Sequence, residues 1–538
     1  QKRTHDVMRY PAPVGGIDIR QSLGSGDLNH CVYTYNLLPF EYGMRVRNGY
    51  REWQIGVDDG VNLGVHTLVP FDSAEEDGVG DRLFAVNNEG IWDVTDFDTT
   101  PVQDVVFADQ SAKAGYGTYA HYVSDAGEDI LFYADSKNGL HRYSASTGLW
   151  TIPVDITGVD VTKVKFIVAH KQRIWMVEES STSAWYLGVG SIAGAATQFF
   201  FGSKFKHGGT LEGLFSWTVD GGAGVDDMLV AISHAGDVVV YQGSDPSLDD
   251  WEVRGGYYVG ELPNTPRFAS EQGGELYILS AYGLSSMNDL LQGVDSNTLQ
   301  ADLDGTTIAA KIAGLIRDKM KTGINLDGWD VSMIPSQGGM LIQIPTEGSA
   351  APLQYYYNFS TQGWGIWRGV PMTCFEEYED SVFFGTLDGR VCRMDVPLDN
   401  INLDDSNPLD VGDAIEFSIL TAFNSMGQDG VFKRVKLIRP DFVAQEEPEH
   451  SSVARFDFDV SEAIDFQLYD PVRFPVGNWG VNNWDEAIWG NSTGLTFPTI
   501  GGAWGTGRYV AIATKGTTRS VTRLVGWDII FDAGGVMW

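Results

Sequence analysis

The sequence predicts an all-β protein built around a β-propeller of six or seven blades. One observation is a hairpin-like pattern that recurs between about residues 80 and 395. A second is its spacing of roughly 40 to 65 residues, slightly longer than the 40 to 50 residues of typical propeller blades. A third is the content of 64 glycines and 16 tryptophans, which indicates tight turns between aromatic-bearing strands. An array of β-sandwiches with coincidental spacing is the alternative.

The first two repeating units show the pattern. Residues 81–86 form an apolar run, residues 87–90 a turn, and residues 91–94 a return strand. In the second unit, Asn138-Gly139 lies between two β-forming runs, and Asn-Gly is a strong hairpin signal because both residues tolerate positive φ. Each hairpin is expected to supply the inner strands of one blade. The other paired runs are 173–177 with 184–187, 228–232 with 238–241, 276–279 with 284, 340–344 with 354–357, and 382–385 with 390–394.

Two further features complete the predicted propeller. Turns that lead into Trp150 and Trp364 are expected to close two blades with a large apolar wedge. Apolar residues at helical spacing predict one short helical insertion packed against the propeller. These residues are Ile308, Ile312, Leu315, Ile316 and Met320.

The chain is expected to divide into three regions. Residues 1–60 carry strand-like runs with local basic charge, residues 61–400 form the propeller, and residues 401–538 form a second β-rich region. An acidic, proline-bearing stretch at residues 403–408 is the expected linker. Residues 454–460 alternate polar and apolar side chains, as a half-exposed strand does.

No motif of catalytic or cofactor-binding chemistry is present in the sequence. It holds no G-x-S-x-G elbow, no G-x-x-x-x-G-K-[ST] phosphate loop and no HxxxH or HExxH pair. Residues 302–305 resemble the start of a calcium loop without its later glutamate, and residues 325–328 are interpreted as a turn. We therefore predict no catalytic residues, no cofactor, no metal ligands and no enzymatic activity.

A carbohydrate-binding or sialidase-like propeller is the alternative from another functional class. Residues 144–150 loosely resemble the Asp-box turn of sialidases, but Ser146 stands where that family has aspartate. Sialidases also need three arginines that converge on the substrate carboxylate. Sequence alone does not show such convergence.

The charge of the chain limits the choice of partners. Its 72 acidic and 36 basic residues give a formal net charge of -36. Tight binding to DNA phosphates or to anionic membranes needs a local excess of Lys and Arg, so both are disfavoured. The charge has two interpretations: solubility at high concentration, or a surface that DNA passes without adhering. No apolar run approaches the roughly 20 residues that span a membrane.

The two flanks carry a family resemblance. The N-terminal flank contains Gly15-Gly16, then Asn36-Leu37-Leu38-Pro39 and Arg47-Asn48-Gly49. These flanks resemble tail nozzle proteins of short-tailed bacteriophages, also called tail tubular protein B or packaged-DNA stabilisation proteins. In that family a glycine pair begins the chain, an N-x-x-P stretch follows, and an R-x-G strand leads into the propeller. The C-terminal flank contributes residues 418–423, 432–436 and 438–442, the tryptophans Trp479, Trp484, Trp489 and Trp504, and residues 527–535.

The resemblance implies a structural protein of the virion, located in the phage tail and assembled in the host cytoplasm. It implies a homohexamer, a ring of about six copies with propellers outward and a DNA channel along its axis. The first and last regions would pack together as a platform facing the tail adaptor, the head-tail connector ring below the portal. Tail fibres or spikes are further expected partners, and double-stranded DNA would pass transiently without sequence-specific binding.

Two expectations concern the channel of such a ring. An acidic lumen would repel phosphates and let the genome slide, and a channel lined mainly by Lys and Arg would contradict this. Some nozzle proteins plug the channel with extra loops. Residues 194–201, which end in three phenylalanines, form either such a constriction or a buried blade strand.

Overall fold

The computed structural model describes residues 6–57, 64–73, 80–220, 225–291, 308–347, 352–403, 412–462, 495–497, 501–502 and 505–534. Within these ranges the chain is mostly β-strand. Two α-helices occur there, α1 (Met287–Leu291) and α2 (Ala313–Gly323). Short 3₁₀ turns lie at Leu23–Ser25, Val161–Lys163, Gly202–Lys204 and Pro335–Gln337.

The N-terminal flank contributes five strands. They are β1 (Asp6–Pro11), β2 (Cys31–Tyr35), β3 (Leu37–Phe40), β4 (Gly43–Val46) and β5 (Gly49–Gln54).

Four groups of four antiparallel strands follow, each with its main strands side by side in chain order. Sheet 1 is β6 (Thr67–Phe71), β7 (Arg82–Val86), β8 (Gly90–Asp93) and β9 (Val102–Val106). Sheet 2 is β10 (Gly117–Val123), β11 (Asp129–Asp135), β12 (Gly139–Ser144) and β13 (Leu149–Thr151). Sheet 3 is β15 (Val164–His170), β16 (Arg173–Glu178), β17 (Ser183–Tyr186) and β19 (Thr197–Phe200). A separate parallel pair is formed by β14 (Ile156–Thr157) and β18 (Gly194–Ala195). Sheet 4 is β20 (Leu211–Asp220), β21 (Val225–Ser233), β22 (Asp237–Gln242) and β23 (Glu252–Tyr258).

Three more groups complete the series. Sheet 5 is β24 (Ala269–Gln272), β25 (Glu275–Ser280) and β26 (Gly283–Ser286). Sheet 6 is β27 (Asp330–Ile334), β28 (Gly339–Ile344), β29 (Leu353–Asn358) and β30 (Gly363–Trp367). Sheet 7 is β31 (Cys374–Tyr378), β32 (Ser381–Gly385) and β33 (Val391–Val396).

The C-terminal region is also built of strands. They are β34 (Ile415–Thr421), β35 (Lys433–Ala444), β36 (Glu449–Phe456), β37 (Leu495–Phe497), β38 (Gly501–Gly502), β39 (Thr506–Gly507), β40 (Val510–Thr518) and β41 (Thr522–Ala533). Of the predicted strand at residues 454–460, only residues 454–456 lie in β36; the chain turns at Asp457 and Phe458, which both have positive φ.

The seven sheets meet through their first strands. The strands β6, β10, β15, β20, β24, β27 and β31 contact one another in that order, and β31 also contacts β6. Middle strands such as β11 and β28 are buried on both faces, because neighbouring sheets cover them. A mostly β chain of small antiparallel sheets in this arrangement is compatible with a β-propeller.

All seven predicted hairpins are present. They are β7–β8, β11–β12, β16–β17, β21–β22, β25–β26, β28–β29 and β32–β33, the second and third strands of their sheets. The predicted helix is present as α2, although Ile308 and Ile312 precede its first turn. Its buried residues Ile316 and Met320 pack in the same apolar cluster as Trp329.

The two flanks of the chain share two large sheets. Strand β2 pairs with β34 and, at Tyr35, with β30, so sheet 6 continues into the C-terminal region as one eight-stranded sheet, β27-β28-β29-β30-β2-β34-β40-β36. In the second large sheet β1 and β4 both pair with β41, β3 pairs with β4, and β35 pairs with β41. Tyr10, Ile419 and Trp527 from both flanks are buried in one cluster with Trp364 of sheet 6.

The strand β5 lies apart from the other N-terminal strands. It pairs with β33 and becomes the fourth strand of sheet 7. The segment predicted as residues 1–60 of a separate region therefore ends in a strand of the seven-sheet series. Two kinds of contact hold β5 beside β33. Gly49 lies against the backbone of Leu398. The rings of Tyr50 and Trp53 pack on Phe384 and Phe383, respectively.

Several sequence expectations lie outside the described residues. They are the calcium-like stretch 302–305, most of the linker 403–408, and the tryptophans Trp479, Trp484, Trp489 and Trp504.

Replacing Gly49 with alanine is expected to weaken the attachment of β5. An added Cβ would lie 2.0 Å from the backbone oxygen of Leu398, so one of the two backbones must shift. We expect the free energy of unfolding, measured by chemical denaturation, to fall by at least about 2 kcal/mol. Gly256→Ala in β23 is the matched control, because its added Cβ would lie 4.0 Å from the nearest atom. Equal losses in both variants would contradict this role of Gly49.

Candidate functional site

The motif residues of the N-terminal flank meet at the joint between sheet 6 and the C-terminal strands. Asn36 adopts a left-handed backbone conformation with φ of 59°. Its Nδ2 donates to the backbone oxygens of Arg368, at 2.9 Å, and Glu416, at 2.8 Å. Its Oδ1 accepts from the backbone N–H of Arg368 and from Nε of Arg47. One amide side chain thus joins three chain segments that are far apart in sequence.

Arg47 extends this joint toward sheet 7. Its side chain is only 1% exposed and binds Asp399 through both terminal nitrogens, with Nη1–Oδ1 at 2.7 Å and Nη2–Oδ2 at 2.5 Å. A planar guanidinium suits this two-pronged pairing, which a lysine does not reproduce. Nη1 also donates to the backbone oxygen of Asn48, just before β5 begins.

The glycine pair occupies the other side of the same joint. Gly16 has φ of 67° and bridges to Trp364 of β30. A Cβ at Gly16 would lie 2.4 Å from backbone atoms of Trp364, so only glycine permits this approach. The three short motifs on which the resemblance rests therefore lie around one structural junction, which we call the platform joint: Gly16, Asn36, Arg47, Gly49 and Asp399.

A second cluster lies where the first strands of the sheets come together. Nε of Arg267, just before β24, is 2.9 Å from Oδ2 of Asp330 in sheet 6. Its Nη1 donates to Oγ1 of Thr67 and its Nη2 to the backbone oxygen of His66, both at 2.9 Å and both at the start of sheet 1. Arg267 therefore connects sheet 5 to sheets 6 and 1. We call Thr67, Tyr119, Arg267, Asp330 and Glu376 the inner cluster.

Thr67 passes the connection on to sheet 2. Its hydroxyl accepts from Arg267 and from the backbone N–H of Gly117, and donates to the backbone oxygen of Gly115 at 2.7 Å. Gly115 in turn donates to Asp135, which also accepts two backbone N–H groups from the β11–β12 turn. The hydrogen bonds of one guanidinium thus extend through four sheets.

Burial sets the charges of the inner cluster. Burial raises the pKa of Glu376 to about 8, with the nearby Asp330 as a second cause, so its carboxyl keeps a proton at neutral pH. The Tyr119 hydroxyl hydrogen-bonds to it. Burial also raises the pKa of Asp330 to about 6, although Arg267 opposes this, and lowers the pKa of His66 to about 4. At neutral pH the cluster contains one ion pair, Arg267–Asp330, with neutral groups beside it.

A cavity of about 380 Å³ opens near this cluster. Tyr116, whose ring stacks on His66 at 4.3 Å, forms part of its wall. Its charged lining is largely paired: Lys165 lies 2.8 Å from Glu212, and Lys137 lies 3.9 Å from Glu179. Arginine is absent from the lining given by the described residues. The convergence of three arginines that a sialidase needs is not found there.

The other sequence expectations map to strands and turns. The Asp-box-like stretch is a turn in which Ser144 Oγ lies 3.0 Å from Ser146 Oγ, followed by Trp150, which packs on Phe84. Residues 197–200 form β19, the fourth strand of sheet 3, in which Phe200 is 57% exposed while the following Phe201 is buried. Residues 325–328, which the sequence predicts to be a turn, do form a turn, in which Asp327 accepts a hydrogen bond from Asn264.

The described residues hold no group of three His, Cys, Asp or Glu side chains that could bind a metal ion. Within the same ranges, no helix is long and apolar enough to cross a membrane.

Comparisons with known proteins give little further information. No family model and no curated protein matches the chain. Among solved structures, the RRP9 WD40 repeats are 10% identical, with a TM-score of 0.38 over 65% of this chain and 99% of that one. The computationally designed Ika8 protein is 8% identical, with a TM-score of 0.34 over 64% of this chain and 99% of that one. An extracellular domain of the putative one component system BT4673 from B. thetaiotaomicron is 11% identical, with a TM-score of 0.39 over 65% and 41%.

Replacing Arg267 with methionine is expected to be strongly destabilising. The substitution leaves Asp330 buried without its cation, which costs about 3–5 kcal/mol of unfolding free energy. The double variant Arg267→Met/Asp330→Asn removes both charges and should recover part of the loss. Denaturant titration of the two single variants and the double variant measures the coupling. Strictly additive losses would contradict a direct pair.

Glu376 is expected to make stability depend on pH. Its pKa is raised to about 8 in the folded protein from an ordinary 4.5, so the folded chain binds one proton more than the unfolded chain between these values. The contribution of Glu376 is therefore complete below about pH 4.5 and is lost as the pH rises through 8. Relative to wild type, Glu376→Gln should gain stability as the pH is raised from 5 to 8. The exposed Glu416→Gln serves as control, and a pH-independent difference for Glu376→Gln would contradict the assignment.

Proposed function

We propose that the seven sheets are the blades of one closed seven-bladed β-propeller. The circular order of first-strand contacts, from β6 to β31 and back to β6, supports this. Strand β5, which precedes the first blade, would complete the last blade and so fasten the two ends of the propeller together. Arg267 would then cross the centre of the propeller from the fifth blade to the first.

We propose that this propeller belongs to a tail nozzle of a short-tailed bacteriophage. The chain would be a structural component of the tail that retains packaged DNA and forms the channel for its ejection. The observation that carries this proposal is the platform joint, because the motif residues that resemble the family occupy one connected site. Asn36, Arg47 and Gly49 each make a contact in the platform joint that requires that type of residue.

A nozzle must withstand the load of a packed genome, and the strand pairing suits this role. The eight-stranded sheet continues from β27 to β36, so the propeller and the C-terminal region share backbone hydrogen bonds. The first and last regions of the chain would form the platform that faces the tail adaptor. Tail fibres or spikes would contact the same assembly, and we propose no enzymatic activity for it.

The position of the inner cluster limits where DNA could pass. Because Arg267 bridges the space between the first strands, the centre of a single propeller offers no route for a duplex. The channel would instead lie between copies, along the axis of a homohexamer. The excess of 72 acidic over 36 basic residues supports a wall that repels phosphates, so that DNA slides without adhering. The carbohydrate-binding alternative lacks a comparable observation, since most of the charged groups that line the cavity near Tyr116 are paired.

Native mass spectrometry of the purified chain tests this proposal, with electron microscopy of the same sample. A ring of about six copies with an axial opening is expected. That ring should retain little double-stranded DNA at low salt, because its surface is acidic. A monomer at all concentrations that hydrolyses a chromogenic glycoside would contradict the nozzle and support the sialidase-like alternative.

A further inference from the structure

A cleft of about 450 Å³ lies between the β3–β4 hairpin and the end of sheet 6. Arg45 of β4 and Arg523 of β41 form its basic side, and Ser336, Asn358 and Ser360 contribute hydroxyl and amide groups. We call it the arginine cleft. It is separate from both the platform joint and the inner cluster.

The two arginines are close neighbours, and Glu41 at the tip of the hairpin also lines the cleft. Arg45 and Arg523 are direct cross-strand partners in the pairing of β4 with β41. Like charges at such positions destabilise a sheet. Burial lowers the pKa of Arg45, and the charge of Arg523 lowers it further. Among the described residues neither guanidinium has a carboxylate within 4 Å, although the chain holds twice as many acidic as basic residues.

Arg45 is held in place despite this repulsion. Its guanidinium lies 4.3 Å above the centre of the Phe40 ring, and Phe40 stacks on Tyr356 of sheet 6. Its Nη2 donates to Oε1 of Gln337 at 3.2 Å, while its Nε is buried without a hydrogen-bond partner. A buried, unpaired donor beside a second cation is costly within the monomer. A carboxylate bound in the cleft would offset the repulsion between the two cations.

We propose that the arginine cleft binds a carboxylate of an acidic segment on a second copy of this chain. The inference rests on the proposed assembly of copies into a ring. Each copy has a surplus of carboxylates, since 72 acidic residues face 36 basic ones. A carboxylate can bridge two guanidinium groups and accept further hydrogen bonds from Ser336 and Ser360.

The hairpin tip beside the cleft has the character of an interface. Tyr42 has φ of 66° and is 83% exposed, and it lines the cleft with Arg45. Tyrosine and arginine are the residue types most enriched at the energetic centres of protein interfaces. Gly43 at the turn keeps the hairpin close to β41, because an added Cβ would lie 2.6 Å from the backbone oxygen of Leu524.

The test compares Arg523→Gln and Arg45→Gln with Arg254→Gln. Arg254 is exposed on β23 and makes no ion pair among the described residues, so its substitution removes the same charge elsewhere. Analytical ultracentrifugation at physiological salt measures the concentration at which each ring dissociates. We expect that concentration to rise at least about tenfold for both cleft variants and to stay unchanged for Arg254→Gln. The melting temperature of Arg523→Gln should not fall, because the substitution relieves a repulsion.

The possible outcomes are distinguishable. If wild type and the cleft variants form equally stable rings, the carboxylate site is overturned while the proposed function stands. If the wild type is a monomer at every concentration, both are overturned. If the rings persist but Arg523→Gln alone loses binding of a double-stranded oligonucleotide at low salt, the ligand is a phosphate and the proposal is overturned. A lower melting temperature with an unchanged ring would show a purely structural role and overturn it as well.

Discussion

The contact between Arg267 and its partners is the constraint on which the rest of the structure depends. One guanidinium binds Asp330 of sheet 6 and reaches Thr67 and the His66 carbonyl of sheet 1. Because Arg267 is enclosed, its charge requires Asp330, and because Asp330 is enclosed, its charge requires Arg267. Glu376 avoids the same cost by keeping its proton. The first strands of the seven sheets therefore meet at a network of hydrogen-bonded polar groups.

The platform joint extends this rigidity to the rest of the chain. Sheet 6 is the sheet that receives Asp330 at one end and β2 at the other, so the inner cluster and the joint are connected by continuous strand pairing. Asn36 and Arg47 then fix the exit of the N-terminal flank toward β5. Strand pairing therefore continues without interruption from sheet 6 into the C-terminal strands. That continuity suits the proposed role of the chain in the wall of a channel for packaged DNA.

The sequence predicted the hairpins and α2 but none of the residues of the inner cluster. Hairpins such as β11–β12 carry local signals, an apolar run, Asn-Gly and a second run, which need no knowledge of distant residues. The pairing of β5 with sheet 7 could not be predicted from such local signals, because its partner β33 lies over 300 residues away in the chain. Arg267, Asp330 and Glu376 carry no motif, since they are single charged residues in or beside ordinary strands. Glu376 is followed directly by Glu377 in an acidic stretch, so nothing in the local sequence indicates that its side chain is buried.

The most direct measurement of the central claim is amide hydrogen exchange resolved along the chain. If the seven sheets form one ring fastened by β5 and the inner cluster, the amides of the first strands and of β5 should exchange together and slowest, by global unfolding. Separate rates for neighbouring sheets, or exchange of β5 as fast as the surface loops, would contradict a single closed unit.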